Sequence, residues 1–181
     1  MKKVYIVLTH TGTILSRFIK YYTKGEFSHV SICLDDELEE MYSFGRLNPY
    51  NPFLGGFVHE KVNQGTFKRF YKTVSKIYSL KVTDEQYKKI QSLIEKIKID
   101  NQVRPYKFNV LGLFAAGIHI KISTIHGFYC AEFVKYILEN SGINTDLPQI
   151  IKPEDFKKLK KINEEYEGLL SYYGKNICKV A

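Results

Sequence analysis

Three cysteines and five histidines supply this chain's chemistry for covalent catalysis, and one cysteine stands out by its position. Cys130 lies near the start of GFYCAEFVKYILENSG (127–142), whose Phe133, Val134, Ile137 and Leu138 fall at i+3, i+4, i+7 and i+8. That spacing predicts a helix with one apolar face, and Cys130 shares the face. Two readings are open. A free cysteine packs well as a small hydrophobe. A nucleophilic one must ionise from an ordinary pKa of about 8.5, and a helix start favours an anion through its unsatisfied N–H groups and macrodipole. Cys33 falls mid-strand and Cys178 in the C-terminal tail, so neither has that advantage.

A thiolate also needs a base, normally a histidine held by a third polar group. The candidates are His10, His29, His59, His119 and His126. His29 opens SHVSICL (28–34), where Val30, Ile32 and Leu34 make an apolar face and His29, Ser31 and Cys33 the other. The small residues of that second face would let a helix pack close and bring Cys130 to His29. Ser43 lies on the following strand, on the face of Met41 and Gly45. The plainer alternative leaves His29 as a solvent-facing strand residue and His126 as a cap on the loop before the cysteine helix.

The elements that must position these groups alternate in period. KVYIVLT (3–9) reads as a strand and GTILSRFIKYYTKG (12–25) as a short helix stopped at Gly25. Residues 28–34 and 39–45 read as a β-hairpin, and RLNPYNPFLGG (46–56), with its prolines and glycines, as a loop that could cover a site. FVHEKV and VSKIYSLKV are further strands. Thr83 and Gln86 make a capping box before the stripe Tyr87, Ile90, Ile94 and Ile97, which runs to about residue 99. FNVLGLFAAGIHI (108–120) is apolar all round and reads as a buried helix; KPEDFKKLKK starts a helix with proline and acids in its first turn; YEGLLSYY reads as a last strand. No repeat or linker divides the chain. The expectation is a single α+β domain over 1–181.

Composition bounds the function. At 181 residues, with 44% hydrophobic and 14% aromatic side chains, the chain can bury a real core. The net charge of +8 permits an acidic partner, but the lysines alternate with acids as on solvated helix faces. Nucleic acid is therefore not expected as a partner; contact with an anionic membrane surface, through the basic charge and the apolar 108–120 segment, is the rival reading. The cysteines form no C-x-x-C pair, so neither a metal site nor a cofactor is expected. Only VYIVL is apolar in MKKVYIVLTHTG and no stretch is long enough for a membrane span, so a cytoplasmic location is expected.

Taken in order, FSHVSICLDDELEEMYSFGR and FYCAEFVKYILENSGI resemble the circularly permuted papain-like branch of the NlpC-type superfamily, which includes the YaeF/YiiX-like proteins. IIKPEDFKKL is similar to the proline-acid helix that follows the cysteine helix in that group, and the likeness spans most of residues 5 to 160. The resemblance implies an antiparallel sheet packed against helices, with Cys130 as nucleophile at a helix N-terminus and His29 as base. It implies a third catalytic group at Ser43, with Glu40 and Tyr42 as neighbours if the register slips; relatives often carry a more strongly polar residue there. It further implies substrate contacts from Thr11 in the lead-in segment and from Tyr129 and Glu132 in the motif YCAEF. The implied activity is that of a cysteine peptidase or amidase, or an acyltransferase. The implied substrates are small peptides, cell-wall peptides or acyl lipids.

Overall fold

A computed structural model describes residues 1–109 and 127–173. Most of the helix expected over 108–120, together with His119, His126 and Cys178, lies outside them. The architecture is α+β, built on a six-stranded antiparallel sheet in the order β4-β3-β2-β1-β5-β8. Its strands are β1 (Lys2–His10), β2 (His29–Cys33), β3 (Met41–Asn48), β4 (Asn51–Glu60), β5 (Val74–Val82) and β8 (Ile162–Leu169). The short strands β6 (Lys107–Phe108) and β7 (Gly127–Phe128) pair in parallel beside it. Helices α1 (Ile14–Thr23), α2 (Gly65–Arg69), α3 (Asp84–Val103) and α4 (Cys130–Asn140) complete the frame, with 3-10 turns at Pro153–Lys158 and Leu170–Tyr172.

The central strand β1 explains its own sequence. Val4 to Thr9 are all buried, as a strand covered on both faces requires, so VYIVL runs apolar instead of alternating. Val4, Ile6, Leu8, Val30, Ile32, Tyr42 and Phe44 belong to the larger core, beneath α3 and α4. Tyr5, Val7, Cys33 and Met41 face the other way, onto Phe67 of α2 and Leu170. The capping box forms as expected: Gln86 N–H donates to Thr83 Oγ1 at 3.1 Å and Thr83 N–H to Gln86 Oε1 at 3.0 Å. Ile90, Ile94 and Ile97 are buried, and α3 continues to Val103.

Four expectations change. Residues 46–56 are not a loop: β3 and β4 continue through them as one long hairpin, closed at 49–50, where Asn48 Oδ1 accepts from Tyr50 N–H at 2.8 Å. Pro52 is tolerated because β4 is an edge strand. Gly55 and Gly56 serve packing, since a Cβ on either would come within 2.7 or 2.8 Å of Phe108 Cβ or the Tyr106 carbonyl. The cysteine helix packs on the Val30 and Ile32 face, not on the face of Ser31 and Cys33; Phe133 meets Phe44 and Phe57 at ring distances of 5.4 and 5.8 Å. Large apolar side chains bury more surface there than small ones could. KPEDFKK makes a 3-10 turn, and the last strand starts at Ile162, four residues earlier than YEGLLSYY suggests.

Candidate active site

His29 occupies the first position of β2, opposite Thr9 of β1. Its ring lies over Gly45 of β3, where an added Cβ would meet His29 Cε1 at 3.3 Å, and Glu60 Oε1 at the same distance. The missing side chain at Gly45 is thus the seat of the imidazole. Glu60, the last residue of β4, reaches across β3 to it: His29 Nε2 lies 3.1 Å from Glu60 Oε1 and 3.3 Å from Oε2. The Ser31 hydroxyl donates to Glu60 Oε2 at 2.5 Å and lies 3.4 Å from His29 Nε2, which fixes the carboxylate in turn. The His29 and Glu60 side chains are only 18% and 11% exposed, so water screens the pair little.

Cys130 is the first residue of α4, and Tyr129 is its N-cap. At a first helical position its N–H has no intrahelical acceptor. Tyr129 N–H donates to Glu132 Oε2 at 3.3 Å, a carboxylate in the first turn, where the helix dipole favours it. The Cys130 thiol is close enough to the His29 ring to act on its charge, alongside the Glu60 carboxylate. Burial, the largest single influence, disfavours the imidazolium. The Glu60 charge and the hydrogen bonds to Cys130 and Glu60 outweigh it and raise the pKa from 6.5 to about 10. His29 thus lies between a carboxylate and a thiol, in surroundings that favour its protonated form. Cys130 is 1% exposed.

The structure brings His29 and Cys130 together, as expected, but changes the third member. Ser43 is buried and its hydroxyl donates to the Val30 carbonyl at 2.8 Å, near the start of β2, on the His29 side of the pairs Ile32–Tyr42 and Cys33–Met41. It supports the strand and leaves the imidazole to Glu60. Neither neighbour substitutes for it: the Tyr42 hydroxyl donates to Glu40, away from His29. In the sequence Glu60 reads only as an acid inside the strand candidate FVHEKV. With 46–56 reading as a loop, no sequence signal places that strand beside β3.

The expected substrate contacts fare differently. The Tyr129 hydroxyl is buried and donates to the Ile151 carbonyl at 3.0 Å, so this side chain anchors the helix start to the following segment and offers substrate nothing. Glu132 caps α4. Thr11 stays half-exposed just past the end of β1, with its hydroxyl 3.2 Å from that of Thr13, the α1 N-cap, and remains a rim position.

The other described titratable candidates are engaged elsewhere. His10 Nδ1 is 3.3 Å from Ser28 Oγ, and burial, then Lys20 and Arg17, hold its pKa below 6.5. His59 Nε2 contacts the Glu39 carbonyl at 2.7 Å, with its ring stacked on Tyr42. The Cys33 thiol is pushed far up by burial and donates to the Asp35 carbonyl at 3.3 Å. Among the described residues no group of three or more His, Cys, Asp or Glu is placed to hold a metal ion, and no helix is long and apolar enough to cross a membrane. No protein-family model matches this chain, and no curated protein matches it.

Proposed function

We propose that the chain is a cysteine-dependent hydrolase or acyltransferase on a permuted papain-like scaffold, acting on an amide or acyl-ester carbonyl through Cys130, His29 and Glu60. One observation carries this reading: His29 sits between a carboxylate and the thiol at a helix start, which raises its pKa to about 10. A structural histidine on a sheet rim needs no buried acid to charge it. A cation beside a thiol favours the thiolate, and the helix start adds to that effect.

In this mechanism the Cys130 thiolate attacks the carbonyl carbon. The Cys130 N–H, without an intrahelical acceptor, is a donor for the developing oxyanion. With Nε2 held by Glu60, Nδ1 is the ring nitrogen that protonates the leaving group. Neutral His29 then takes a proton from water or another acceptor, whose oxygen attacks the thioester and frees Cys130. Ser31 acts through Glu60, holding its carboxylate in place.

Small peptides, cell-wall peptides and acyl lipids all present the required carbonyl. The rival, a non-catalytic binding domain with a buried thiol, is favoured by the 1% exposure of Cys130. Exposure to p-nitrophenyl acetate followed by intact-protein and peptide mass spectrometry separates the two. The expected result is one acetyl group on Cys130, absent from Cys130→Ala and formed about 10²–10⁴-fold more slowly in His29→Ala. No adduct on Cys130, or one formed equally fast without His29, rejects the enzyme.

A further inference from the structure

Helix α1 turns an apolar stripe outward. Ile14, Phe18 and Tyr21, at i, i+4 and i+7, are 84%, 58% and 83% exposed, whereas Ser16 and Ile19 face the core. Three large hydrophobes on one helix face, left in water, form a patch of the kind that marks a contact surface. Their flanks are Arg17, Lys20 and Lys24, and the stretch from Thr13 to Gly25 contains no acid. Apolar side chains bordered by cations on a short helix match the headgroup-acyl boundary of an anionic bilayer: hydrocarbon meets the stripe, phosphate the flanks.

The surroundings extend the same chemistry. Arg46 donates from Nη2 to the Thr13 hydroxyl at 2.6 Å, joining the start of α1 to the β3–β4 hairpin. That hairpin exposes Tyr50 and Leu54, with the Arg69 guanidinium 3.8 Å over the Tyr50 ring. A protein partner would equally cover an apolar stripe, but the acid-free basic flank from Arg17 to Lys24, with Glu26 beyond it paired to Lys157, and the net charge of +8 favour a surface of fixed negative charge.

We propose that α1 is an interfacial helix that docks the protein on anionic lipid bilayers. The docking is independent of the Cys130 chemistry. It also sets the site at a membrane surface, because α1 follows directly on the end of β1 that pairs with His29.

Co-sedimentation with vesicles of 30% phosphatidylserine in phosphatidylcholine, against pure phosphatidylcholine, tests the proposal. Binding is expected to the anionic vesicles at low salt, to fall steeply at high salt, and to drop about tenfold or more in Ile14→Glu/Phe18→Glu, and about fivefold for each cation lost from Arg17→Ala and Lys20→Ala. These positions are exposed, and circular dichroism with Cys130 alkylation in vesicle-free buffer shows that fold and site survive. Absence of binding at low salt, or binding unchanged in the double variant, overturns the proposal. So does a stable dimer in sedimentation velocity that Phe18→Glu dissolves, since a second copy would then be the occupant.

Discussion

At the scale of residues, the site rests on which carboxylate holds the imidazole. Glu60→Gln keeps shape but removes charge, so His29 loses the larger of the influences that raise its pKa. The acetylation rate at pH 7 is expected to fall about 10²-fold or more, with the fold unchanged by circular dichroism. Ser43→Ala acts differently. It strips the donor from the buried Val30 carbonyl, which costs about 1–3 kcal/mol in denaturant unfolding while leaving the acetylation rate within about twofold. Comparing the two variants distinguishes a charge partner from a strand support. The sequence pointed to Cys130 and His29 because their signals are local: a helix start for one, a strand start for the other. It missed Glu60, which lies 31 residues from His29 and reaches it only across an intervening strand.

At the scale of elements, glycines and one tyrosine decide how close the supporting pieces come. Gly55 and Gly56 read as loop residues because a glycine pair close after two prolines usually marks one. They lie in β4, and the absence of their side chains admits Tyr106 and Phe108. A Gly55→Val change places carbon where Phe108 Cβ and the Gly45 carbonyl already are, so a loss of about 1–3 kcal/mol is expected in thermal unfolding, with β6 displaced. Tyr129→Phe removes the bond to the Ile151 carbonyl at the start of α4; a stability loss of about 1–3 kcal/mol is expected in denaturant unfolding. The helices were legible from periodicity: the Thr83 capping box and the isoleucine stripe of α3 form as written. The partner face of α4 was not legible, because its apolar stripe fits either side of a sheet.

At the scale of the whole molecule, the sheet order puts β2, β3 and β4 side by side, so that three strands share one charged cluster on an otherwise apolar frame. That cluster links the global stability to pH. The folded-state pKa of His29, about 10, lies above its ordinary value of 6.5, so the stabilisation it gives is complete below about pH 6.5 and is lost as pH rises toward 10. Denaturant midpoints of the wild type are expected to fall over that window, and those of Glu60→Gln to fall less. The α+β class followed from the alternation of strand and helix periods; the order of strands did not, since a hairpin and a crossover read alike in one sequence. The central claim is the coupling of Cys130 to a charged His29. It is tested most directly by the rate of iodoacetamide labelling of native Cys130 at pH 6, followed by peptide mass spectrometry with Cys33 as the internal buried control. Labelling of Cys130 is expected to outpace Cys33 and to slow about tenfold or more in His29→Ala. Labelling no faster than Cys33, or indifferent to His29, would contradict the account.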